Sequence, residues 1–497
     1  MQSYNIFVTY ANYLYLCNLK QPKSRRHQSK KTANGRKKSI KQGTLHREVL
    51  RLAMPSILAN ITIPLVGIVD TAIAGHISDA AAIGGVAIGT MLFDLLYWNF
   101  GFLRVGTAGM TAQAYGKNIS TNPASQERTE KTHEILYQSL FIAMCGAGLI
   151  LLLQWVFVTA ALAIVPCSDE VARFARQYFF IRVWAAPATL SLMALKGWFI
   201  GMQNTVAPMI TDLAVNGVNM LASWLLAVYT PLGAMGVAWG TLIAQYSGLI
   251  IAIPLVTRQK IKDESLISIR DENRLPLSYI LGKALQWQKI RRLFVLNGNL
   301  FVRSLCFMVV YVGFTAMAAR YGDTELAVSA IMMKLFMLFS YFIDGFAYAG
   351  EALSGRFIGE RNEVQLRNTV RILFIWAAII GGICAIVYAG AGTGMIRIMT
   401  DKQDVILASR PYIFWLVLMP LISCPAFIWD GIYIGATAGT QLRNCMIWSA
   451  FGFAIAYLLL QSSLGIQALY LAYFVHLAVR TLYLTFYWRP TRRKHIN

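Results

Sequence analysis

Asp70 is the residue of this chain with the clearest capacity for chemistry. It lies deep in the apolar run IPLVGIVDTAIAGH, after Pro55 and Pro64, which can loosen a helix around it. Placing an ionisable group inside a membrane span costs about 2.5–3.5 kcal/mol, so each one needs a reason to be there. A low-dielectric setting disfavours the charged form of a carboxyl group, and a group so placed can exchange a proton as its surroundings change. Asp212, Asn216, Asn219 and Ser223 follow at steps of four, three and four, on one face of a helix. Such a stripe either lines a hydrated cavity and bonds the Asp70 carboxyl, or joins helices as polar glue at ~0.6 kcal/mol per bond. Asp212 lies nearest the end and can reach water.

The second half of the chain has its own acids. Tyr341, Asp344, Tyr348 and Glu351 share a helical face, as do Asp430, Tyr433 and Thr437. Arg303 and Lys334 are candidate partners for them. Either these acids form functional sites, or they form an ion-pair network that fixes the bundle. Abundant aromatic and methionine residues, such as Trp98, Phe102, Met332 and Met337, could form an adaptable apolar pocket, although most are expected in packing.

These side chains need a scaffold that is mostly in lipid. Of the residues, 57% are hydrophobic and 14% charged, and the mean hydropathy is +0.51. Apolar runs of span length recur along the chain, and in lipid they must be helices. The expected spans are 50–76, 82–115, 134–160, 174–199, 207–229, 235–257, 291–318, 325–357, 367–390, 405–438, 441–463 and 467–488. The runs 82–115 and 325–357 exceed one bilayer crossing and are expected to tilt or project.

A net charge of +22 invites a nucleic-acid reading, but the charges map onto alternate loops. Most Lys and Arg lie in Lys20 to Arg51, Arg258–Arg292, Arg356–Arg371 and Arg489–Lys494. The loop Pro166–Glu170 carries only Asp169 and Glu170, and Tyr229–Gly233 and Gln461–Gly465 carry no charge. An even number of spans with both termini cytoplasmic puts every basic segment on one side, as the positive-inside rule requires.

The chain also repeats itself. Gly101, Phe102, Gly106 and Ala108 match Gly345, Phe346, Gly350 and Ala352, and GMQNTVAP at 201–208 echoes GATAGTQLR at 435–443. A six-span repeat returns the chain to the same side, which predicts an all-α membrane protein of twelve helices in two parallel, pseudo-symmetric six-helix bundles. The expected units are a basic tail at 1–45, bundles at 46–257 and 291–490, a linker at 258–290 and a basic tail at 491–497. Tyr4–Cys17 is too short to span, and the first tail is expected to be disordered and drawn to anionic lipid.

No catalytic constellation is evident. His76 and His476 stand alone, and the seven cysteines include no CxxC, so neither an enzyme, a metal site nor a bound cofactor is expected.

Residues 52–76, 97–116, 338–359 and 410–437 resemble the multidrug and toxic compound extrusion (MATE) transporters, specifically their DinF branch. The resemblance covers nearly all of residues 45–490. It implies a monomeric secondary antiporter of the inner membrane, exporting hydrophobic, often cationic compounds by alternating access against inflowing H+, or less readily Na+. It assigns the first-span coupling carboxylate to Asp70, and a hydrogen-bonded cluster to Asn219 and Thr241. Ser223 stands where many members carry a second aspartate, leaving Asp70 alone or helped by Asp94. Asp430 matches an acid of the second-half cation site of other branches, and Arg303 lies near where a further glutamate would be, which disfavours sodium there. The alternative is a lipid-linked precursor flippase of the wider superfamily. A flippase would favour a cationic central cavity, and a scarcity of Lys and Arg in the first-half spans counts against it.

Overall fold

The computed structural model describes residues 42–77, 80–120, 127–165, 167–265, 282 and 286–496. The calls on the first tail to residue 41 and on linker residues 266–281 and 283–285 lie outside the described residues.

Among the described residues, twelve helical segments are long and apolar enough to cross a membrane. Span 1 is Gln42–Ile77. Span 2 is Ala80–Phe100 and Phe102–Ser120, joined at Gly101. Span 3 is Glu127–Ile164, span 4 is Asp169–Arg182 and Ala186–Gly201, span 5 is Val206–Tyr229 and span 6 is Met235–Ser265. Span 7 is Trp287–Ala318, span 8 is Asp323–Gly359, span 9 is Glu363–Met399, span 10 is Gln403–Ser409 and Ile413–Gly435, span 11 is Gly439–Leu464 and span 12 is Gln467–Ile496.

The irregularities repeat with the spans. Spans 4 and 10 are each interrupted by a three-residue 3-10 turn, Val183–Ala185 and Arg410–Tyr412, with Pro187 in the first turn of the helix that resumes and Pro411 inside the 3-10 turn itself. A proline suits the first turn of a helix, where its missing N–H would be unpaired anyway. Each of these spans then ends on a left-handed residue, Gln203 (φ 61°) or Thr437 (φ 52°). Asn204 N–H bonds Phe199 O and Gln203 N–H bonds Ile200 O, both at 2.9 Å; Ala438 bonds Tyr433 at 3.0 Å and Thr437 bonds Ile434 at 2.8 Å in the same pattern. This double bond caps the last carbonyls of a helix. The turns after spans 5 and 11 carry Gly233 and Gly465, both at positive φ. The two halves are therefore parallel copies of one six-span plan.

Gln and Thr occupy positions that glycine would fill with less strain, because their side chains reach the other half. Gln203 Nε2 donates to Ala352 O at 3.3 Å and its Oε1 accepts from Arg356 at 3.2 Å. Thr437 Oγ1 accepts from Gln113, which also donates to Gly435 O at 3.0 Å.

These bonds cross at the end of the molecule where spans 2 and 8 finish. There the helices touch backbone to backbone: a Cβ on Gly116 would lie 1.9 Å from Arg356 O, and one on Gly359 would lie 2.2 Å from Gln113 O. Small residues permit such approach between helices in lipid, where packing must supply the attraction.

Span 1 joins the two cores. Its Leu45, Val49, Leu52, Ala53 and Ile57 are buried in the core of the second half, whereas Ile73 belongs to that of the first. Pro64 lies between them, and Pro55 falls within the first group. Asn60 Nδ2 donates to Tyr341 O of span 8 at 3.4 Å, and Thr62 accepts from Asn216 of span 5 at 2.6 Å.

Gly116→Val should force the halves apart at this end. Electron–electron resonance distances between spin labels at positions 117 and 361 should lengthen, and an unchanged distribution would contradict this account of the contact.

Candidate functional site

The first half holds a polar site around Asp70. Asp70 Oδ1 is buried without a hydrogen-bond partner among the described residues, as is Ser223 Oγ; the two groups are neighbours, and the guanidinium of Arg182 acts on the carboxyl electrostatically. Arg182 Nη1 donates to Tyr178 Oη at 3.0 Å and its guanidinium lies 4.9 Å from the Phe93 ring centre. It makes no ion pair within 4.0 Å among the described residues. A carboxyl group and a guanidinium thus share the interior of one bundle without closing on each other.

The span 5 stripe fans out to different neighbours. Asp212 pairs with Lys196 of span 4 at 2.5 Å while 27% of its side chain stays exposed. Asn216 bonds Thr62 of span 1. Asn219 donates to Thr241 of span 6 at 2.9 Å, and the threonine hydroxyl donates to Val237 O. Ser223 is fully buried beside Gly240. In this conformation only Ser223 of the stripe lies beside the Asp70 carboxyl. Asp94 is exposed on span 2, with Arg182 of its own half and Tyr311 and Tyr341 of the other as electrostatic neighbours. One turn on, Trp98 meets Phe307 and Tyr311 of span 7 edge-to-face, with ring centres 5.4 and 5.5 Å apart.

The second-half acids gather around a cavity of about 310 Å³ lined from both halves. Asp430 of span 10 accepts from Arg303 of span 7 at 2.6 Å and from Arg480 of span 12 at 2.5 Å. Glu351 of span 8, fully buried, accepts from Arg104 of span 2 at 3.2 Å, an ion pair across the two halves. The Arg104 guanidinium also lies 4.4 Å from the Tyr348 ring centre. Arg104 and Tyr348 are equivalent positions of the internal repeat, so the contact falls where the two copies face each other. Asp344 lines the cavity with no hydrogen bond or ion pair among the described residues.

Two expectations need correction here. Lys334 is exposed and pairs with none of the acids among the described residues. The first-half spans are also less poor in basic residues than expected, since Arg104, Arg182 and Lys196 all point into the interior and are partly buried. Arg104 and Arg480 were missed as partners. Their signal in sequence is a single basic residue in an otherwise apolar span, the same signal that marks Asp70.

The sequence profile of the MatE family matches residues 55–225 and 300–460, taking in both bundles. The chain belongs to the MatE family. It is 36% identical over 412 residues to DNA damage-inducible protein F of Escherichia coli strain K12, covering 82% of this chain and 84% of that one. It is 25% identical over 402 residues to Protein DETOXIFICATION 44, chloroplastic, of Arabidopsis thaliana, covering 80% and 73%. Among solved structures, the Vibrio cholerae MATE transporter VcmN in the bent form superposes with a TM-score of 0.75 at 16% identity, over 91% of this chain and 98% of that one. A MatE protein is a polytopic membrane transporter, so the buried charges above belong to a carrier's interior.

Removing one partner from a buried ionic group strands the remaining charge, at a cost of about 3–5 kcal/mol. Asp430→Asn should therefore lower the thermal unfolding midpoint in detergent sharply. Glu363→Gln should cost less than about 1 kcal/mol, because Glu363 meets Arg367 at 2.6 Å and Arg492 at 3.1 Å while remaining 43% exposed. Equal effects from the two variants would contradict the buried network.

Proposed function

We propose that the chain is a secondary active efflux antiporter, not an enzyme, exporting hydrophobic organic compounds with a cationic centre in exchange for H+ by alternating access. It needs no bound cofactor. The observation that carries the reading is Asp70: a carboxyl group with a buried oxygen that has no hydrogen-bond partner among the described residues, on a helix whose first half is rooted in the core of the other half. Protonation of such a group changes what it can bond, and span 1 spreads that change across both bundles. Coupling needs only that the proton bind one arrangement of the lobes more tightly than the other.

Two features favour H+ over Na+. The second-half acid Asp430 is already served by two guanidinium groups, and Ser223 offers a hydroxyl where a second carboxylate would complete a cation site. The name of a further relative, Multidrug export protein MepA of Staphylococcus haemolyticus, supports export of foreign compounds. On this reading the protein works as a monomer in the cell or inner membrane, with both termini and the basic loops cytoplasmic.

A second reading, a flippase for lipid-linked precursors, gains from Arg104, Arg303 and Arg480 around the cavity. The carboxylates paired with all three weigh against a plainly cationic site.

Everted vesicles test the leading reading. Wild type should exchange a fluorescent organic cation for protons, and Asp70→Asn should lose at least about 90% of that exchange, equivalent to about 1.4 kcal/mol or more of coupling. If the variant transported the cation and dissipated the pH gradient like wild type, Asp70 would not be the coupling group.

A further inference from the structure

The last turns of span 12 carry a stripe that changes character along its length. Leu482, Phe486, Arg489 and Arg493 follow at steps of four, three and four, so they share one helical face. Leu482 is 69% exposed and Phe486 78%, and Arg489 and Arg493 are exposed beyond them. Tyr487 and Trp488 stand between the apolar and the basic part, as aromatic residues do at the boundary of membrane and water. The face thus runs from the level of acyl chains to the level of headgroups.

These arginines have company. Arg492 of the same helix end meets Glu363 Oε1 of span 9 at 3.1 Å through Nη2, and the same oxygen accepts from Arg367 at 2.6 Å. Arg367, Arg489 and Arg493 are all electrostatic neighbours of Arg492. Four guanidinium groups and one carboxylate therefore share this place, an excess of three positive charges (four less one). Glu363 lies in the first turn of span 9, so the positive end of that helix adds to the same field.

Basic residues at the end of a span are ordinary where each reaches water by itself. Here they converge from two helices, and one of them is sunk behind the others. The Arg492 side chain is 17% exposed, and its Nε is buried without a hydrogen-bond partner among the described residues. Span 10 packs against both spans 9 and 12 and supplies an aromatic link beneath the arginines. The Trp429 ring centre lies 5.1 Å from that of Phe374 of span 9 and 5.3 Å from that of Trp488.

We propose that this cluster binds the phosphate headgroup of an anionic phospholipid, whose acyl chains lie along Leu482 and Phe486. A phosphodiester offers two free oxygens that match the planar fork of a guanidinium, and its negative charge offsets part of the excess. Basic pockets at the ends of membrane helices hold such headgroups by these forces. The choice of a lipid over a soluble phosphate rests on continuity, since the exposed apolar stripe and the arginines lie on one face. The proposal needs only that the chain spans a membrane, and it is independent of the coupling ion and of the exported compound.

Native mass spectrometry of the full-length protein in neutral detergent tests this, with phosphatidylglycerol and phosphatidylcholine of the same acyl chains as probes. Wild type should bind the first phosphatidylglycerol at least about tenfold more tightly than phosphatidylcholine. Arg489→Gln combined with Arg493→Gln should cut that preference to under about threefold. Lysine at both positions should retain part of it, because the charge stays while the fork is lost. Both side chains are exposed and make no ion pair among the described residues, so the fold does not hinge on them. Arg258→Gln combined with Arg291→Gln removes two exposed arginines from the ends of spans 6 and 7, at the same end of the molecule, and should leave the preference within about twofold of wild type.

Equal affinity of wild type for the two lipids overturns the proposal. So does full retention of the preference without Arg489 and Arg493, or an equal loss in the Arg258 and Arg291 control, which would mean diffuse surface charge. Displacement of phosphatidylglycerol by a large excess of glycerol 3-phosphate would make this a site for soluble phosphate and overturn the lipid assignment.

Discussion

A charge in the membrane interior is costly unless another charge meets it, and this constraint shapes the core of the protein. Arg104 meets Glu351, Lys196 meets Asp212, and Arg303 and Arg480 meet Asp430. Each pair ties two or more helices into a fixed relation. Against that background the groups left open stand apart: Asp70 with a bare Oδ1, Arg182 without an acid, and Asp344 on the cavity wall. The paired charges hold the bundle, and the proposed chemistry falls to the unpaired ones.

The same economy governs how the halves meet. Glycines bring spans 2 and 8 to backbone contact, and the left-handed residues Gln203 and Thr437 turn strained helix ends into bonds across the interface. Few of these contacts are strong alone. A carrier needs an interface that closes well and also opens, and many modest hydrogen bonds suit that better than one deep hydrophobic seam. Arg104 with Glu351 is the exception, an ion pair across the halves whose carboxylate is fully buried. Any group that competes for either member weakens the closure.

Much of this was legible in the sequence. Apolar run length gave the twelve spans, and charge on alternate loops gave their even number. The repeats around Gly101 and Gly345, and around residues 201–208 and 435–443, foretold parallel halves, and those same stretches form the matching caps. The breaks in spans 4 and 10 were not foreseen, although Pro187 and Pro411 mark them. Side-chain partners were the harder matter. Spacing placed Asp212, Asn216, Asn219 and Ser223 on one face, but the neighbouring helix that each one meets depends on tertiary packing, and they turned to spans 4, 1 and 6. Arg104 and Glu351 lie 247 positions apart. Nothing in local periodicity joins residues so distant, which is why Lys334 was nominated and Arg480 was not.

The central claim is that Asp70 carries the proton exchanged for substrate. Proton release on adding a transported organic cation to purified protein in weakly buffered detergent solution tests it most directly. The account predicts a release near one proton per protein for wild type, and none for Asp70→Asn at a substrate concentration that still saturates binding. Equal release from the two proteins would contradict it.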